Sequence, residues 1–221
     1  MSWVRKFLLS LSAVGVLAML TATAHADPII ITGTNSGNVS TAIVDCSFNS
    51  QTNTLTFTIT NTSALTSPGS TSTITSIGFD LPPLGNASSS GLNGFTGTQA
   101  PSLSSTFDFS DADLGAVPAG FNNVVLDFGF TTGPGGNFNG GSTNLGLLPG
   151  ESASFTVTGA AFAGFTEAQI CNAIFVRFQN VPVAGSDVGT PTSVPEPSTM
   201  LLLGTALIGL GGIVRRRIKR R

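Results

Sequence analysis

The segment Thr54-Leu55-Thr56-Phe57-Thr58-Ile59-Thr60 alternates threonine with Leu, Phe and Ile. Successive side chains of a β-strand point to opposite faces, so this period of two gathers the apolar groups on one face and the threonines on the other. β-Branched and aromatic residues suit such a half-buried, pleated setting. Ser152-Ala153-Ser154-Phe155-Thr156-Val157-Thr158 repeats the pattern. Working outward, residues 29–34, 42–48, 74–81, 105–109, 124–130 and 173–179 also predict strands, and 49–53 predicts a hairpin loop between two of them. Ser67-Pro68-Gly69, Pro82-Pro83, Gly85-Asn86 and Pro149-Gly150 supply turn chemistry between the others. Short strands separated by such turns predict an all-β fold, an antiparallel β-sandwich over residues 27–182. No segment predicts a long amphipathic helix; Thr166 opens a single helical turn within 165–170. The Gly-rich stretch 133–146 predicts a long, mobile loop. Residues 183–194 contain Pro191, show no strand pattern and predict a linker.

The 221 residues segregate their charge. Eight of the nine basic residues lie at the two ends, and residues 27–194 hold one cation, Arg177, against ten carboxylates. That segment also lacks Lys, His, Tyr and Trp. A nucleic-acid partner is thereby excluded, because phosphate neutralisation needs Lys and Arg. Mechanisms that need a histidine base, a Schiff-base lysine or a histidine-ligated metal are excluded from the segment as well. Sugar-stacking platforms of Trp or Tyr are missing, which argues against a glycosidase. The expectation is a protein that is not an enzyme.

Both ends carry addresses. Arg5 and Lys6 precede an apolar run over 7–20, and Ala24-His25-Ala26 fits small-x-small cleavage before Asp27, so residues 1–26 predict a secretory signal peptide. The alternative is a short buried or membrane helix. At the other end Val194-Pro195-Glu196-Pro197 is followed by an apolar helical stretch, 198–214, and then by Arg215, Arg216, Arg217, Lys219, Arg220 and Arg221. At ~1.5 Å per residue the stretch rises about 25 Å, short of the ~30 Å hydrocarbon core. The basic cluster would stop transfer and stay cytoplasmic.

The tripeptide, short apolar helix and terminal basic cluster of 195–221 together resemble the PEP-CTERM sorting signal of Gram-negative bacteria. The resemblance implies recognition of Pro195, Glu196 and Pro197 by exosortase, a membrane-embedded transpeptidase thought to remove the tail. It implies export across the inner membrane, a membrane-anchored intermediate and a final place at the cell surface or outside the cell, in bacteria that make exopolysaccharide. The other reading of the tail is a permanent single-span anchor. The expected partners are therefore exosortase and the export machinery, the membrane through the helix, and exopolysaccharide or matrix.

Within the domain, Cys46 and Cys171 predict one disulfide, the default for two thiols exported to an oxidising compartment; the alternatives are two buried thiols or an intermolecular bridge. Asp108, Asp111 and Asp113 form the densest acidic group. Close-set hard oxygen ligands suit Ca²⁺, although the spacing is not that of an EF-hand, whose bidentate Glu position falls here on Asn122. The ordinary reading is a solvated acidic loop; the chain has no cofactor motif. Arg177 is expected to pair with a carboxylate near the core. Asn38, Asn61 and Asn86 open glycosylation sequons. The threonines at 54–62 would form a ladder of the kind that orders water. One ladder without a repeat is not a flat array, and β-propensity accounts for it. The function expected from all this is a surface or matrix protein with a structural or adhesive role; a Ca²⁺-dependent glycan-binding module is the alternative.

Overall fold

The computed structural model describes residues 28–33, 40–65, 71–81, 84, 94–102, 104–111, 114, 124–133, 137–182 and 185–192. Ten strands form in chain order: β1 (Ile29–Gly33), β2 (Thr41–Asn49), β3 (Thr54–Asn61), β4 (Thr73–Phe79), β5 (Phe95–Gln99), β6 (Asp108–Ser110), β7 (Phe128–Thr131), β8 (Ser152–Gly159), β9 (Ile174–Val181) and β10 (Gly185–Pro191). They hydrogen-bond into one sheet in the order β5-β8-β3-β2-β1-β10-β9-β4-β7-β6, every neighbour antiparallel. The expectation of an all-β, antiparallel fold holds, but that of two separate sheets is corrected. The sheet coils until β5 and β6 lie side by side, a nearly closed barrel.

The coil follows from where the alternation puts phenylalanine. Leu55, Phe57 and Ile59 of β3 face inward with Ala153, Phe155 and Val157 of β8. Phe57 meets Phe155 on the neighbouring strand at 5.0 Å and, across the interior, Phe79 of β4 at 5.3 Å and Phe130 of β7 at 6.1 Å. The sheet thus closes on itself around rings, each of which buries a large apolar area. The β2–β3 hairpin is set by Asn49, whose Oδ1 accepts from the Gln51 and Thr52 amides, and by Asn53 at φ 48°.

Helix α1 (Glu167–Cys171) begins where expected. Thr166 caps it, bonding the Gln169 amide while Gln169 bonds back to the Thr166 amide. Glu167 Oε2 accepts from the Phe48 amide at 2.8 Å and so ties α1 to the end of β2.

Two strands escape the sequence pattern. Gly185–Pro191, expected as part of the linker, is β10 and lies between β1 and β9 in the middle of the sheet. Its glycines permit close packing rather than signalling a linker: a Cβ on Gly189 would come within 2.6 Å of Ile31 Cγ2. Phe95–Gln99 is β5, with Gly and Gln at inward positions. Residues 105–109 contribute only the three-residue β6, and the strand expected at 124–130 begins at Phe128.

The described part of the Gly-rich stretch is packed, not free. Phe138 is fully buried with Leu114, Leu126 and Val188 in a second, smaller core on the outer face of the sheet, and Leu147 bridges Ile74. All seven residues of β4 are consequently buried. Among the described residues no helix is long and apolar enough to cross a membrane. The signal peptide, the 198–214 helix and its basic cluster lie outside the described residues.

Candidate functional site

The seam between β5 and β6 is the most specific polar construction of the domain. The two strands run antiparallel without a backbone ladder between them, and side chains take its place. Asp111 stands just past β6, and its two carboxylate oxygens accept from the Gly94 and Phe95 amides, each at 3.0 Å. At the other end Gln99 Oε1 accepts from the Phe107 amide at 2.7 Å, and Gln99 Nε2 donates to the Ser105 carbonyl and hydroxyl at 3.2 and 3.1 Å. Between these sutures the Phe109 ring lies against Gly97, where a Cβ would meet ring carbons at 2.1 Å. A groove of about 480 Å³ runs along the seam, lined by Gln99, Ser105, Phe107, Asp108 and Phe130 among others.

This geometry divides the expected calcium set. Asp108 is exposed on β6, Asp111 is engaged by backbone amides as a seam latch, and Asp113 lies outside the described residues. Among the described residues no three His, Cys, Asp or Glu side chains gather as a metal site.

Cys46 and Cys171 are joined as a disulfide, with Cα atoms 6.0 Å apart and a sequence separation of 125. The bond links β2 to α1, beside the Glu167 contact. Arg177 is buried, but its partner is not the expected carboxylate: Nη1 donates to the Asn139 side-chain oxygen at 2.8 Å. Loss of hydration lowers its pKa. Nε has no hydrogen-bond partner among the described residues. Asn61, expected as a sequon asparagine, is fully buried and donates from Nδ2 to the Ser72 and Leu147 carbonyls, both at 2.8 Å, so it is a core cross-tie rather than a glycan acceptor. Asn38 and Asn86 lie outside the described residues.

Sequence reasoning missed Gln99, Asn61 as a tie, and Asp127. Asp127 is 3 % exposed, and its Oδ2 accepts from the Leu81 amide at 2.7 Å. Burial pushes its pKa up to about 6; the Leu81 bond opposes this and the neighbouring Asp80 adds to it. No local pattern marks any of these three: Asn61 and Asp127 reach segments distant in sequence, and Gln99 acts across a loop onto the approach to β6.

A disulfide-locked, nearly closed antiparallel sheet of this kind belongs to the all-β domains that suit an oxidising compartment. Residues 193–218 match the family model of the PEP-CTERM protein-sorting motif, so the chain is a PEP-CTERM motif-containing protein. Such a motif implies an exported protein that exosortase processes. Searches of the curated proteins and of the solved structures found no significant match. The sorting residues Pro195, Glu196 and Pro197, the basic cluster 215–221 and the cleavage residues Ala24, Ala26 and Asp27 all lie outside the described residues.

Proposed function

We propose that the chain is a non-enzymatic protein of the cell surface or extracellular matrix, delivered by its tail, with the β-domain as the working part in a structural or adhesive role. The sorting-motif match carries this reading. The disulfide supports it, since it suits an oxidising destination. So does the absence of Lys, His, Tyr and Trp from residues 27–194, which leaves no histidine base, lysine amine or Trp/Tyr sugar platform there. In this reading the tail halts in the membrane, exosortase recognises Pro195-Glu196-Pro197, and cleavage frees the domain for its final place.

The test is the intact mass of the protein isolated from its host, with and without the exosortase gene. The expected result is a start at Asp27 and an end close to Pro197 in the host, with the tail retained when exosortase is missing. A mass that keeps Arg221 in both strains would make the chain a permanent single-span anchor and would end the release model. Turnover of a polysaccharide or ester by the purified protein would end the non-enzymatic one.

A further inference from the structure

Arg177 is the one cation of residues 27–194, and it is only 8 % exposed. Alternation along β9 puts Val176 and Phe178 in the barrel interior, so Arg177 stands on the outer face. On β4, Ser76 is its partner in register and Ile74 is the partner of Phe178, which makes Thr75 the extra residue of a β-bulge. Two hydroxyl-bearing residues thus oppose one arginine, and both are fully buried. The strap of residues 137–142 lies over them and is fastened at both ends. Phe138 sits in the outer core, and the Ser142 amide donates to the Thr132 carbonyl and hydroxyl. Within the strap, a Cβ on Gly141 would come within 2.9 Å of Thr75 Cβ.

A buried guanidinium is costly unless an opposite charge and acceptors replace its water. The acceptor that Arg177 meets, the Asn139 side-chain oxygen, is neutral. Burial lowers its pKa, and no carboxylate holds it up. On its own row the carboxylate is Asp108, exposed three strands away beyond Ser76 and Thr131. Asp187 of β10 pairs in register with Phe178 and belongs to the inner face, against Gly33. Arginine also keeps its proton where a buried lysine would lose it. Among the described residues Nε has no hydrogen-bond partner, and neither have Thr75 Oγ1 and Ser76 Oγ across from it. Nε–H is a donor, and each hydroxyl can turn its hydrogen toward the same point. Gln179 Oε1, likewise without a partner, is two residues further along β9. A half-turn of that amide exchanges its oxygen for an NH₂ donor. A compact acceptor with a negative charge completes such a set. Water would satisfy the hydrogen bonds and leave the charge unanswered.

We propose that Arg177, Thr75 and Ser76 hold a small monovalent inorganic anion of the chloride class beneath the 137–142 strap. Nε and the two hydroxyls donate to it, and its charge offsets that of the guanidinium. Full burial of both hydroxyls suits a single compact ion rather than an acidic side chain of a partner. The bound ion links β4 to β9, and through Arg177 and Asn139 it holds the strap to the sheet. This site goes beyond the export reading and does not depend on whether the tail is kept.

The test follows thermal unfolding of the full chain, oxidised and held in a non-ionic detergent. Sodium chloride is compared with sodium methanesulfonate, an anion too bulky for an enclosed site, at one ionic strength. Wild type should gain about 3–5 °C in Tm for each tenfold rise in chloride above its dissociation constant. Arg177→Met removes the charge and keeps an apolar stem, so its Tm should be the same in both salts. Ser76→Ala keeps the charge and removes one donor, and should need about tenfold more chloride for the same gain. It also decides the matter if Arg177→Met does not melt cooperatively. Chlorine-35 line broadening that bromide displaces should be largest for wild type and smaller for both variants. The six cations of the tail are common to all three proteins, so chloride taken up there cancels from the comparison. Equal wild-type melts in the two salts overturn the proposal and leave these donors to water. A chloride effect of wild-type size in folded Arg177→Met or Ser76→Ala also overturns it and assigns the effect to the tail or the surface.

Discussion

Asp127 shows how one buried carboxylate sets a pH response. Its backbone amide donates to the Phe79 carbonyl and its Oδ2 takes the Leu81 amide, so it knots the end of β4 to the approach to β7. Burial raises its folded pKa to about 6 from an ordinary value of 3.8. Between those values the folded state binds more protons than the unfolded one, so this group's contribution to stability falls as pH rises from about 4 to about 6. Asp127→Asn keeps an oxygen for Leu81 and removes the charge. It is expected to stabilise the domain at neutral pH by an amount on the order of 1 kcal/mol, with the gain vanishing near pH 4. Urea melts of both proteins across that range check it; a gain that is the same at both ends would remove the titration argument.

At the scale of elements, the seam decides whether the sheet is a barrel or an open curl. β5 and β6 are edge strands, and edges with free backbone groups invite pairing with other chains. Asp111 and Gln99 occupy those groups at the two ends, and Phe109 covers Gly97 between them. Asp111→Asn leaves one acceptor and turns an amide donor toward N–H groups. The expected cost is about 1–2 kcal/mol, with faster amide exchange at Gly94 and Phe95. Gly97→Val drives a branched side chain into the Phe109 ring and should cost about 1–3 kcal/mol. Hydrogen exchange that stays at wild-type rates in both variants would show that the seam does not depend on these contacts. The latch role also explains why Asp111 was legible as acidic but not as structural: its partners lie 16 and 17 residues away on another strand.

For the molecule as a whole, the disulfide closes a loop of 125 residues from β2 to α1 and so constrains most of the domain. On the chain-entropy account such a closure is worth about 4–5 kcal/mol. Thermal unfolding with and without reductant, and of Cys46→Ser/Cys171→Ser, should show a loss of that order. A change below about 1 kcal/mol would mean that the unfolded chain gains little from being cut loose. A fold cross-linked by a disulfide fits delivery to an oxidising compartment, in keeping with the sorting motif at the end of the chain.

The sequence by itself determined what depends on neighbours along the chain. The alternation in β3 and β8, the Asn49–Asn53 turn, the Thr166 cap and the sorting tail were all legible, because strand faces, turns, caps and linear motifs are local. Tertiary structure alone decided what depends on distant pairing. β10 carries one apolar side chain, Val188, among Gly, Ser, Asp, Thr and Pro, and becomes a central strand only because β1 and β9 accept it. The single sheet in place of a sandwich, the Asp111 latch and the Asn139 partner of Arg177 arise the same way. Strand order and register are long-range choices made by burying phenylalanine, and a local periodicity carries no record of them.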